Sequence, residues 1–147
     1  MNLKEFLLYT KKADEIIFKA LADTGFSIPE ANVLLSHVLS AQHIWAKRIL
    51  EQKPEFAVWE VLQPEDFESI YQTNMNLLEE ILATKVLTAE VDYQNSTGRF
   101  TNTIEEILMH VCNHGTYHRG QLAKMLKLAG YVPPVTDYIM LKRQGLL

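Results

Sequence analysis

Cysteine is nearly absent: Cys112 is the one thiol in the chain. That excludes an intramolecular disulfide framework and fits a reducing compartment. Long apolar runs are lacking as well, and none approaches the roughly 18–20 residues needed to span a bilayer. The opening stretch MNLKEFLLYTKKADEII reaches Lys11 and Asp14 too early to hold a secretory apolar core with a small-residue cleavage site. The expected location is therefore the cytoplasm, with no membrane partner. Basic charge is not in excess either; the formal net charge is -4, which removes the broad electrostatic case for a nucleic-acid partner. No internal repeat, low-complexity tract or long linker divides the 147 residues. A chain of that size is expected to form a single domain, 1–147, with a sizeable core.

What the sequence does have is helical periodicity. Leu3, Phe6, Leu7, Ile16, Ile17, Ala20 and Leu21 predict a first helix from Asn2 or Leu3 to about Ala22, interrupted at Thr10 and Ala13 and stopped at Gly25. Ser27 with Glu30 reads as a capping box, with Pro29 in the first turn of a second helix reaching about Gln52. Its inward face is predicted at Val33, Leu34, His37, Ala41, Ile44, Trp45 and Arg48. A connector from Lys53 to Gln63 precedes a third helix over about Glu65 to Ala83. The β-branched and turn residues of VDYQNSTGRFTNT predict a small hairpin or extended crossover centred on Asn95–Gly98. Thr103 and Glu106 form a second capping box, opening a fourth helix closed by Gly130. Asp137 to Arg143 is predicted as a short last helix that carries Tyr138, Ile139 and Leu141 back onto the rest. Four amphipathic helices imply an all-α four-helix bundle with a small hairpin-like crossover before the last long helix.

The fourth helix carries the chemistry. Ile104, Ile107, Leu108, Val111, His114, Gly115, His118, Leu122, Met125, Leu126 and Ala129 share one face at helical period. That face is apolar except at His114 and His118, one turn apart and pointing the same way. Neutral imidazoles at this spacing can share an ion. The second helix offers a third: His37 interrupts its own apolar stripe, whereas His43, six residues on, lies about 240° round the helix and points elsewhere. Three histidines would leave open positions for water or substrate. The competing reading is that each core histidine is satisfied by hydrogen bonds alone, and His110, at the edge of the stripe, is assigned to that class. Cys112 reads as a buried or edge thiol, and Trp45 and Trp59 as packing residues. Gly115 and Gly120 each cost a helix about 1 kcal/mol relative to alanine, which points to close backbone approach there. Arg119 is left between a pocket rim, a carboxylate across a subunit boundary and plain solvent. Gly115 stands where a zinc protease helix carries its glutamate base, so HExxH chemistry does not apply.

HGTYHRGQL (His114 to Leu122), preceded at distance by SHVLSAQHIWAKRIL (Ser36 to Leu50), resembles the DinB-like family of metalloenzymes. The resemblance covers nearly the whole chain and implies a four-helix bundle of up-down-down-up course, often dimeric. It also implies a divalent-metal site of three histidines, carried over by position to His37, His114 and His118, the three that the stripes select. The family pattern has an acidic residue near Gln42–His43, and Gln42 departs from it. Some relatives resemble thiol-dependent S-transferases using bacillithiol or mycothiol; others resemble maleylpyruvate isomerase or metal-dependent hydrolases, and the family label names a damage-inducible response. The implied ion is zinc, nickel or iron, and the implied partner is a small-molecule substrate together with a low-molecular-weight thiol. Three functions stay open: a metal-dependent transferase or hydrolase with no catalytic residue assigned, a non-catalytic metal-binding stress-response protein, and an interaction bundle with vestigial histidines.

Overall fold

The computed structural model describes residues 2–147. The elements run α1 (Leu3–Asp23), α2 (Pro29–Ile49), a 3-10 turn (Pro64–Asp66), α3 (Phe67–Thr84), β1 (Glu90–Asn95), β2 (Gly98–Thr103), α4 (Ile104–Leu128) and α5 (Tyr138–Arg143). The fold is mainly helical, with one two-stranded antiparallel sheet. Among the described residues no helix is long and apolar enough to cross a membrane.

α4 packs against both α1 and α2, and α2 also packs against α3. One apolar core joins them: Leu7, Ile17 and Leu21 of α1, Leu35 and Leu39 of α2, Phe67, Met75 and Leu78 of α3, and Leu108, Leu122 and Leu126 of α4. Each such side chain contributes about 1.5–3 kcal/mol by leaving water. α2 is the most enclosed helix, buried without a break from Leu34 to Ile44. α3 and α4 cover two of its sides, and the connector to α3 covers a third. Ser36, His37, Gln42 and His43 in that stretch find partners inside the protein, whereas Ser40 Oγ and Gln42 Oε1 have none among the described residues.

Local signals set the boundaries. α1 ends at Thr24, and Gly25 follows at φ 67°, the left-handed conformation that glycine adopts without a side-chain clash. At the hairpin Glu90 pairs with Thr103 and Asn95 with Gly98. The Asn95 side-chain oxygen accepts from the Thr97 and Gly98 amides at 2.8 and 3.2 Å, closing the turn. α4 then starts on a complete capping box, Thr103 accepting from the Glu106 amide while the Glu106 carboxylate accepts from the Thr103 amide. Downstream, Tyr138 and Lys142 both bond Glu5, and Leu141 packs on Tyr9 and Ala13, so α5 lies on α1.

Three expectations need correction. The Ser27 capping box does not form; Ile28 is the N-cap residue, no side chain caps α2, and Ser27 is exposed. Val33 is 41% exposed rather than inward, because the buried stretch of α2 begins at Leu34. Ile139 is likewise exposed, and of α5 Leu141 alone is buried. The contrast between the two capping sequences is measurable. Thr103→Ala should cost about 1 kcal/mol, read as a lowered urea midpoint at constant slope, whereas Ser27→Ala should stay within about 0.5 kcal/mol of the parent.

Candidate metal centre

α4 contributes His114 and His118 from adjacent turns, and α2 contributes His37 from the face that meets α4. Their ligand-capable nitrogens all lie within 4.8 Å of one another. The Nε2 of His114 is 3.1 Å from that of His37 and 3.1 Å from that of His118. His37 and His118 are 7% and 8% exposed, and His114 is half-buried at the mouth.

Hydrogen bonds on the far side of two rings decide what those nitrogens are. His37 Nδ1 lies 2.9 Å from the Val58 carbonyl oxygen and His118 Nδ1 lies 2.6 Å from Gln121 Oε1. Both oxygens only accept, so both Nδ1 atoms carry the proton and both Nε2 atoms present lone pairs. His114 can place one proton at most on the Nε2 that faces both. At least one lone pair is left pointing at another nitrogen with nothing between them. A cation resolves that conflict, and the outward hydrogen bonds are those that orient metal-bound histidines. Spacing agrees: two nitrogens each about 2.0–2.1 Å from one ion, at angles from square to tetrahedral, are about 2.9–3.4 Å apart. The donor set fits a divalent ion.

The connector between α2 and α3 is pinned along α2 by side chains. Ser36 Oγ accepts from the Leu62 amide at 3.1 Å, and His43 Nε2 accepts from the Glu55 amide at 3.1 Å. His37 makes the third pin through Val58. Trp59 is 62% exposed and stacks on His37 with ring centroids 3.8 Å apart and planes 9° from parallel. It is thus a cover on a candidate ligand, not the packing residue that its composition suggests. Tyr117 stands edge-on to His118 at 5.1 Å and is also exposed. His43 points away from the three rings, as its angle on α2 predicts, but it is buried and holds the connector.

Other residues land differently from expectation. His110 is exposed and has no hydrogen-bond partner among the described residues; its ring meets Trp45 edge-on at 5.4 Å and lies 5.7 Å from His114. Cys112 is fully buried, and burial pushes its thiol up to about 11, which removes it as a nucleophile. Arg119 is neither at a rim nor in solvent. It is 3% exposed and ion-paired with Asp14 of α1 at 2.6 Å. Gly120 has open space around it, so the expectation of close approach holds at Gly115 alone, where an added Cβ would lie 3.1 Å from the Arg119 guanidinium. Asp14 and Gln42 have no signal in the local sequence that marks them as partners; an aspartate on the Ala13 side of an otherwise apolar helix face is the nearest thing to one.

Comparison with known proteins follows this geometry. The family model described as DinB family matches residues 1–145. A curated relative, Protein DinB of Bacillus subtilis (strain 168), is 54% identical over 43 residues, a segment that covers 29% of this chain and 25% of that protein. The match thus spans about a quarter of the relative's length. No solved structure matches.

The site imposes a pH dependence on the metal-free protein. Burial, and then the neighbouring His118, His37 and His110 charges, push the His114 imidazole down to about 4. Burial lowers His37 in the same direction. Depressed histidines are neutral in the folded chain, while the unfolded chain takes up protons near the ordinary value of 6.5. The unfolded state therefore binds more protons, and stability is lost as pH falls through that range. In the presence of a chelator, the urea midpoint should be flat above pH 6.5 and decline as pH falls toward about 4. His114→Ala should show a shallower decline over the same range.

Proposed function

The chain belongs to the DinB family, and from that premise we propose that it is a divalent-metal-dependent enzyme of thiol S-transferase-like or hydrolase-like chemistry on a small molecule. His37, His114 and His118 hold the ion. The chain is read as one domain, 1–147, a four-helix bundle of up-down-down-up course working as a cytoplasmic homodimer in a damage-inducible response. The observation that carries the metal reading is the pair of Nε2 lone pairs, on His37 and His118, both turned toward His114 Nε2 at 3.1 Å. Imidazole donors suit zinc, nickel and iron alike.

The chemistry that a divalent ion brings to such a site is acidification of a thiol or a water molecule, which supplies an anionic nucleophile near neutral pH. The protein's own residues orient and enclose. Val58 holds the His37 ring, and Gln121 the His118 ring, each in a single tautomer and orientation. Trp59 shields the face of His37 from water. Turnover rather than mere binding is favoured by a recess of about 230 Å³ beside the site, lined by Trp45, Tyr93, Asn102, Glu106, Ile107 and His110. There Tyr93 donates to Asn102 Oδ1 at 2.7 Å, and Asn102 donates to Glu106 at 3.0 Å. Those bonds fix the polar wall, and the free ring nitrogens of His110 remain to meet a substrate. The alternative, a non-catalytic metal-binding stress-response protein, draws on the aromatic cover of Trp59 and Tyr117 over two of the rings.

Elemental analysis of protein purified without chelator should find close to one divalent ion per chain, and His37→Ala should lose most of it. Metal-loaded protein should then accelerate conjugation of a low-molecular-weight thiol to an electrophile, or hydrolysis of an ester or amide. Metal without either activity would move the assignment to the binding protein; absence of metal before and after soaking would end both.

A further inference from the structure

A second buried polar cluster, outside the three histidines, centres on the Asp14 carboxylate. Its Oδ1 accepts from Arg119 Nη1 at 2.6 Å and its Oδ2 accepts from Gln42 Nε2 at 2.9 Å. Asp14 lies on α1, Gln42 on α2 and Arg119 on α4. One carboxylate therefore ties together the two helices that bring in the histidines. We propose that the Asp14–Arg119–Gln42 cluster is a positioning device for the metal centre, setting the rotation of α4 and α2 that makes His114 and His118 face His37. The inference rests on the metal reading given above.

Arg119 directly follows His118, and Gly115 directly follows His114. The pairs 114/118 and 115/119 are thus neighbouring rows on one helix, about 100° apart. The guanidinium folds back over Gly115, where an added Cβ would come within 3.1 Å of Nη1. Its Nη2 donates to Thr116 Oγ1 at 2.8 Å, and its centre lies 5.2 Å above the Tyr9 ring. The side chain is held on every side, so whatever seats it also sets the azimuth of the imidazole row beside it. The tolerance is narrow. A turn of α4 by about 10° moves a side-chain tip some 5–6 Å from the axis by about 1 Å, against a tolerance of about 0.2 Å in ligand distances. Gln42 stands five residues after His37 and applies the same restraint to α2.

A buried ion pair can also serve stability alone, and the two roles separate experimentally. Replacing both charges by apolar residues of similar volume is often neutral for folding, so Asp14→Leu combined with Arg119→Met tests position rather than stability. Zinc affinity of the full chain is measured by competition with a chromophoric chelator, beside the melting temperature of the metal-free form. The expected result is a loss of about tenfold or more in affinity at a melting temperature near the parent's. Unchanged affinity in the folded double variant overturns the proposal. Should that variant fail to fold, Gln42→Leu carries the test, since it frees α2 without stranding a charge: a drop in affinity supports positioning and parental affinity overturns it. Arg119→Lys, which keeps the charge but loses the two-pronged contact, should fall between parent and double variant. A parent chain that takes up no zinc would instead overturn the metal reading, and the positioning role with it.

Discussion

Three imidazole nitrogens crowded inside protein, with His114 Nε2 at 3.1 Å from each of the other two, are an electrostatic problem before they are a site. With His37 and His118 locked by carbonyl-type acceptors on their outer edges, too few protons are left for the inner edges. Several neighbouring elements hold those rings in place. α2 is buried along its middle, and the Trp59 ring stacks on one face of His37 there. α4 is the longest helix and starts on a fully satisfied cap, which gives the histidine row a rigid base about three turns upstream. The hairpin delivers the chain to that cap and sets Tyr93 and Asn102 beside the recess that adjoins the site.

Much of this was legible in the sequence, and what was not follows a pattern. Periodicity reports which residues of a helix share a face, and it placed His114 and His118 together and His37 on the inner side of α2. Short-range chemistry reported the Thr103–Glu106 cap and the Asn95–Gly98 turn, because the partners are three residues apart. Ser27 and Glu30 show the limit even at short range: the pattern is present, yet Ile28 is the residue that takes the N-cap position. Pairings across the chain were invisible. Arg119 meets a carboxylate 105 positions away, and no local pattern distinguishes a charged side chain with such a partner from one in water. Trp59 was misjudged for the same reason, and the part that His43 plays in holding the connector was not foreseen, since both depend on the path of an irregular connector that has no period.

Glycine in the histidine run illustrates how one position serves two demands. A glutamate there would offer a general base, as in zinc proteases; an alanine would favour the helix by about 1 kcal/mol. Gly115 does neither, and the space it leaves is taken by the Arg119 guanidinium on its way to Asp14. Gly115 and Arg119 thus belong to the packing of α4 against α1, and neither offers a general base to the three histidines.

The connector between α2 and α3 has a grammar of its own. Ser36 and His43 offer acceptors to the amides of Leu62 and Glu55, whereas His37 offers a donor to the carbonyl of Val58. Sliding the connector by one residue would carry the bonded group away from its partner at each pin. Natural or engineered length changes should therefore be confined to the spans between pins, and the three residues from Trp59 to Val61 are the widest of these. A change of length there would alter the cover over the His37 ring and leave in place the stretch of α2 that carries it.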